Sequence, residues 1–276
     1  MEKANSVMIK AIVYFILIVG AATMLLPFFW MIMTSFKTYS ESVHIPPVWI
    51  PSHFRWNWYQ QALTEVNFLR YYLNTIIVTL GRTIGQVLVC SMAAYGFARL
   101  RFPGRNVIFI LVLAILMVPY QVILIPQYME LRDLNWLDSF AALIVPGIFS
   151  AYGTFLLRQF FMGLPKDLEE AARIDGLSYW GFFWRIALPL TKPALTTLAF
   201  FDILWSWNDF LYPLVMTSSD SMRLLSIGIA NLEGVYTTQF PLLMAGAVMA
   251  TVPLLILFIV LQRFIVQGIA FTGIKG

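Results

Sequence analysis

Two acidic residues, Asp202 and Asp209, lie in an otherwise apolar run, with Trp205 between them and Asn208 adjacent. On a helix, Asp202, Trp205 and Asp209 fall at i, i+3 and i+7 on one face, with Asn208 beside it. A carboxylate next to an indole suits a polyhydroxylated ligand, whose hydroxyls exchange hydrogen bonds with the acid while its C–H faces lie on the ring. The alternative is structural. Arg82 also sits inside an apolar run, and an ion pair with Asp202 would neutralise both charges; lining of a pathway by Asp209 and bridging by Asp202 both stay open at this level.

A second constellation is Glu170-Ala171-Ala172, followed at fixed spacing by Gly176 and then Ile186, Leu188 and Pro189, in one of the few polar segments of the chain. Asp167 suits a helix N-cap, with Glu170 three residues on and acidic charge opposing the positive end of the helix dipole. Gly176 suits the left-handed residue that ends a helix, and Ser178 can cap the next. The spacing predicts two short helices meeting at a glycine elbow. Ala171 and Ala172 leave the first helix thin on one side, so it either enters a groove on another protein or lies among lipid headgroups.

Other chemistry finds few residues. Cys90 is the one cysteine, which excludes a disulfide or thiolate metal site within the chain. His44 and His53 fall in one loop with no metal-ligand spacing, so neither a metal site nor a catalytic residue is expected. No G-x-x-x-x-G-K-S/T occurs; if ATP is used, it and its magnesium belong to a partner ATPase, and this chain carries no cofactor.

The elements that must position these residues are membrane helices. The 276 residues are 60% hydrophobic and 12% charged, with mean hydropathy +0.77, too little polar side chain to cover a soluble globule. Six apolar stretches, at about 11–34, 71–97, 106–128, 139–161, 194–216 and 241–264, each approach or exceed the ~20 residues that span a hydrocarbon core. The expected fold is a single all-α integral membrane domain over 1–276: six transmembrane helices, a cytoplasmic two-helix loop over 164–193 and an outer interfacial helix near 57–67. The first stretch exceeds a signal-peptide core and reads as an uncleaved anchor. Twelve Lys and Arg fall on the side of the termini and the Glu170 loop and five on the other, with Arg82 within a span. The positive-inside rule therefore places both termini in the cytoplasm. The charge of +4 then needs no nucleic acid, and no Lys/Arg run is tight enough for a polybasic lipid patch. Pro119, Pro126, Pro146, Pro213 and Pro253 predict kinks. Gly81 and Gly85 form a G-x-x-x-G helix-contact pattern.

The pattern EAA, three residues, G, nine residues, I-x-L-P is matched at every position and resembles the ATPase-docking loop of bacterial ABC import permeases. PFFWMIMTSFK (27–37), AAYGFARLR (93–101), VPYQVILIPQY (118–128), IALPLTKP (186–193), WNDFLYPL (207–214) and the terminal 273–276 are similar to the maltose-type carbohydrate branch, specifically its shorter, binding-protein-dependent permease subunit. That resemblance implies a multi-pass protein of the bacterial cytoplasmic membrane. It implies a heterodimer with a second homologous permease subunit, two copies of a cytoplasmic ABC ATPase and an extracytoplasmic sugar-binding protein. Glu170, Ala171, Ala172, Gly176, Ile186, Leu188 and Pro189 would couple to the ATPase. Glu233, Gly234, Val235, Tyr236, Thr237 and Thr238, in the outer loop 220–239, would contact the binding protein. The implied activity is ATP-driven import of oligosaccharides by alternating access. A glycerol-phosphate or other polar-solute importer is the alternative. An integral-membrane glycosyl-transferring enzyme would need a catalytic constellation that the loops lack, and a passive channel subunit would leave the Glu170 loop without a reader.

Overall fold

Long runs of Leu, Ile, Val, Phe and Ala with polar residues only at their ends produce helices, and the described residues of this computed structural model contain no strand. The structure describes the backbone of residues 2–65, 67–233 and 238–273. The longer helices are α1 (Glu2–Thr34), α2 (Asn57–Glu65), α3 (Phe68–Arg99), α4 (Arg105–Ala114), α5 (Tyr120–Asp133), α6 (Ala151–Gly163), α7 (Lys166–Ile174), α8 (Lys192–Asn208) and α9 (Phe240–Gly273).

Met8–Thr34, Phe68–Arg99 and Phe240–Gln262 are each long and apolar enough to cross a bilayer unbroken. Elsewhere the length is reached only by bent pairs: Arg105–Met117 with Tyr120–Asp133 (101°), Phe140–Gly147 with Ala151–Gly163 (40°), and Tyr179–Leu190 with Lys192–Asn208 (75°). The stretches expected at 106–128 and 139–161 are interrupted in this way, at the kinks expected near Pro119 and Pro146, whereas the 75° bend falls at Thr191, ahead of the stretch 194–216. Between α4 and α5, Val118 is extended (φ −88°, ψ 117°) and Pro119 becomes the cap of α5, because a residue before proline is pushed out of the helical region. Pro146 sits in the 3-10 turn Val145–Gly147. The stretch 194–216 breaks at Asp209 before a short helix, Leu211–Met216. Pro126 and Pro253, by contrast, lie inside α5 and α9, so not every proline marks a break.

The chain divides into two compact units. One comprises residues 1–68 and 228–253. Here α2 docks through Ala62 onto Leu232 and Leu242, and Trp58 Nε1 donates to the Lys37 carbonyl at 2.8 Å. Lys37 is fully buried, its Nζ 3.6 Å from the centroid of the Trp30 ring and donating to Thr34 Oγ1 at 3.1 Å. Trp58 therefore serves packing, while Trp56 stays exposed. Along α1, by contrast, the apolar side chains from Met8 to Leu26 are outward-facing.

The other unit comprises residues 69–227 and 254–276. Its backbone is α3, whose Gly81 and Gly85 admit the Phe140–Ile148 segment so closely that a Cβ would stand 2.8 Å from Ile144 Cδ1 and 2.6 Å from Ile148 Cγ2. One apolar cluster joins the far end of α3 (Cys90, Ala94, Tyr95) to α6 (Leu157, Phe161), α7 (Ala172), the 179–190 segment (Phe182, Phe183, Ala187) and α8 (Ala194, Leu198). A second gathers Val78, Leu124, Leu131, Leu143, Tyr212 and Met216. Helix α4 is held against α6 by Phe109, over whose ring the Arg158 guanidinium lies at 4.1 Å.

Candidate functional site: a helical loop and a buried polar cluster

Helix α7 starts two residues earlier than the sequence suggests. Pro165 occupies the cap (φ −56°, ψ 138°) with no side-chain hydrogen bond, which puts Asp167 in the first turn and not at the N-cap. Its fixed φ already suits helix entry. The other end is a Schellman motif: Gly176 takes φ +81°, its N–H donates to Arg173 O at 3.0 Å, and Leu177 N–H donates to Ala172 O at 2.9 Å. Leu177 and Ala172 both enter the apolar cluster described above. Ser178 then caps the next helix, its Oγ accepting from Gly181 N–H at 3.1 Å. That second arm runs through Tyr179–Phe182, a π turn at Phe183–Ala187 and Leu188–Leu190.

Burial sorts the EAA residues. Ala172 is inside, Ile186 and Leu188 are half-buried, and Glu170, Ala171, Gly176 and Pro189 face outward. Ile174 projects beside them, 87% exposed. The residue that holds this helix is one the sequence did not single out. Glu169 meets Arg99 at 3.6 Å and Arg173 at 2.9 Å, and Arg99 also donates to the carbonyls of Phe161 and Leu164. The i, i+4 spacing of Glu169 and Arg173 was a readable signal; Arg99, from the end of α3, was not.

The intramembrane acids are arranged differently from the expected single face. Asp202 is buried on α8 and accepts from Thr83 Oγ1 at 2.7 Å. Arg82 pairs not with Asp202 but with Asp209, at 3.2 Å. Asp209 lies beyond the end of α8, in an extended conformation (φ −66°, ψ 120°), and its carbonyl accepts from Ser226 Oγ at 2.7 Å. The helical break thus carries Asp209 off the Asp202 face and toward α3. Trp205 is 53% exposed, packed edge-on against Tyr152, and Asn208 is exposed, its amide donating to Leu204 O at 2.7 Å. Among the described residues, Thr79 Oγ1 and Gln86 Nε2 on α3, Ser206 Oγ on α8 and the Arg82 Nε are buried without a hydrogen-bond partner.

A family model described as "Binding-protein-dependent transport system inner membrane component" matches residues 86–271, more than half of the chain. The chain belongs to that family. This permease is 36% identical over 249 residues to the arabinooligosaccharides transport system permease protein AraQ of Halalkalibacterium halodurans, covering 89% of each chain. It is 33% identical over 264 residues to the diacetylchitobiose uptake system permease protein NgcG of Streptomyces coelicolor, covering 94% of this chain and 87% of the relative. It is likewise 33% identical over 264 residues to the sn-glycerol-3-phosphate transport system permease protein UgpE of Yersinia pestis, covering 93% and 94%. Among solved structures, a chain of a bacterial ABC transporter involved in the import of the acidic polysaccharide alginate superposes with TM-score 0.84 over 94% of this chain and 98% of that one. At 22% identity it shows the shared permease fold.

In the permease, the segment expected to meet a binding protein is described only at its edges. Glu233 is exposed and Thr238 half-buried, whereas Gly234, Val235, Tyr236 and Thr237 lie outside the described residues. The structure also gathers cations that the sequence separates: Arg99, Arg101, Arg105, Lys166 and Arg173 border one concavity. No tight Lys/Arg run in the sequence marks this convergence, which arises because α7 folds back onto the α3–α4 corner.

Proposed function

We propose that this permease is the shorter membrane subunit of an ATP-driven, binding-protein-dependent oligosaccharide importer, with six membrane crossings, the bent pairs 105–133 and 140–163 and the stretch 194–216 each counted as one, and both termini in the cytoplasm. A homologous subunit completes the pathway, two ATPase subunits engage the α7 loop and a binding protein docks outside. The observation that carries this reading is the outward surface of Glu170, Ala171 and Ile174 on a helix fixed at both ends. A rigid lever with a thin exposed face can pass motion from a partner to the membrane helices, because Ala172 and Phe183 of the loop share one packed cluster with α3, α6 and α8. ATPase closure would move that cluster as a body and open the pathway outward. Hydrolysis would reverse it.

The oligosaccharide assignment draws on the similarity to AraQ and NgcG. UgpE supports a second reading, glycerol phosphate, but the one cation of the intramembrane cluster, Arg82, is already paired with Asp209, leaving little charge for a phosphate. The test is uptake into proteoliposomes holding the complete complex and its binding protein. ATP-dependent accumulation of radiolabelled arabino- or chito-oligosaccharide is expected; accumulation of glycerol phosphate alone would replace the assignment.

A further inference from the structure

The basic concavity beside the loop lies between the α3–α4 corner and α7 and encloses about 720 Å³. Five cations border it against two carboxylates, Glu169 and Glu170. Glu169 is taken up by Arg99 and Arg173, and Arg105 donates to the Leu100 carbonyl. Arg101 and Lys166, both exposed, make no ion pair or hydrogen bond among the described residues. A second hollow of about 470 Å³ shares Arg101 and Arg105 and leads to Val107 at the start of α4. From there α4 presents an apolar stripe at i, i+3 and i+4: Val107, Ile110 and Leu111 are each more than 60% exposed. Phe109, on the opposite side, is buried.

We propose that this concavity binds the headgroup of an anionic phospholipid, with its phosphate between Arg101, Arg105 and Lys166 and its acyl chains along the Val107–Leu111 stripe. A soluble anion would use the cations alone, and an acidic protein surface would have no use for an apolar stripe running toward membrane depth. Only a lipid has both chemistries joined at this spacing. The inference rests on the proposed cytoplasmic side of the loop, which puts the site at the inner leaflet where such lipids meet basic residues. A bound lipid would tie Lys166, on the coupling helix, to the corner formed by Arg101 and Arg105.

The test is native mass spectrometry of the assembled, delipidated complex titrated with phosphatidylglycerol or phosphatidylcholine. Wild-type complex is expected to retain phosphatidylglycerol preferentially, and the double variant Arg101→Gln/Lys166→Gln to bind it about tenfold more weakly, with assembly checked by size exclusion. Equal retention of the two lipids, or unchanged binding in the double variant, would overturn the proposal. So would displacement of the lipid by millimolar inorganic phosphate, which would mark a soluble-anion site. Loss of ATPase subunits from the double variant with lipid retention intact would assign the cations to the protein interface instead. Lipid retention is read independently of the transported solute, so failure of the sugar assignment leaves this result standing, and an outward-facing loop would show in accessibility labelling.

Discussion

Arg82 reaches Asp209 at 3.2 Å by passing over Gly147, where a Cβ would stand 2.3 Å from the Arg82 Nε. Three segments far apart in sequence thus combine to place one ion pair. The guanidinium needs the missing side chain on one flank and the interrupted helix on the other.

Breaking this pair should cost about 1–3 kcal/mol, less than a fully buried pair because the two side chains are 18% and 22% exposed. Asp209→Ala is expected to lower the melting temperature of the purified permease, and Arg82→Met/Asp209→Leu to recover most of it. Gly147→Ala should destabilise wild type but do much less in an Arg82→Met background, since both changes act on the same contact. Additive losses across that cycle would mean that Gly147 does not position Arg82. If the double variant regains stability yet transports poorly, the charges also serve the pathway.

At Gly176 the prediction separates backbone strain from crowding. Nothing lies within 4 Å of a Cβ built there, and φ is +81°, so Gly176→Ala should cost roughly 1–2 kcal/mol through the left-handed backbone alone. The permease is expected to remain folded while sugar-stimulated ATP hydrolysis falls. Glu170→Lys should likewise impair ATPase association by reversing charge on the outward face, whereas Glu169→Gln should instead loosen α7, read as faster amide exchange over 166–174. Wild-type hydrolysis and uptake in both Gly176→Ala and Glu170→Lys would remove the loop from the coupling path.

Local signals carried the loop well. Gly176 and Ser178 read as an elbow and a cap because each acts on backbone groups within a few residues, and both do so in the structure. Asp167 misled because Pro165, two residues earlier, already starts the helix. The polar cluster was less legible. A periodicity argument presumes an unbroken helix, and the end of α8 at Asn208 defeats it; which acid Arg82 meets depends on Gly147 and Ser226, neither marked by any local pattern. The same reason hid the basic concavity, whose cations come from 99–105 and 166–173 and are neighbours only after α7 folds back.

In the segment between α1 and α2, Glu41 closes a loop that should titrate. Its carboxylate accepts from Ser52 Oγ at 2.6 Å, Thr38 N–H at 2.8 Å and Ser52 N–H at 3.0 Å, and these bonds pull its pKa from 4.5 down to about 2. A depressed carboxylate pKa contributes stability that is fully present above the unfolded value and is lost as pH falls through the folded one. Amide protection of 38–52 in wild type, relative to Glu41→Gln, should be constant from pH 7 to 5 and shrink between about 4.5 and 2. A difference that instead declines between pH 7 and 5 would contradict the assignment.

The twelve-to-five division of basic residues makes the topology testable at single positions. Ile174, 87% exposed, makes a suitable probe on the loop, and His53 is exposed in the segment between α1 and α2. Cys90 is buried, its thiol donating to Ser150 O at 3.4 Å, so Cys90→Ser keeps a donor there while removing the native thiol. In that background, Ile174→Cys should react with a membrane-impermeant maleimide only in inverted vesicles, and His53→Cys only in intact cells or right-side-out vesicles. Expressing the permease without its ATPase keeps Ile174 uncovered. Reaction of both positions from the same face would require an even number of crossings between them in place of three, and with it a different assignment of the bent pairs α4–α5 and 140–163 as spans.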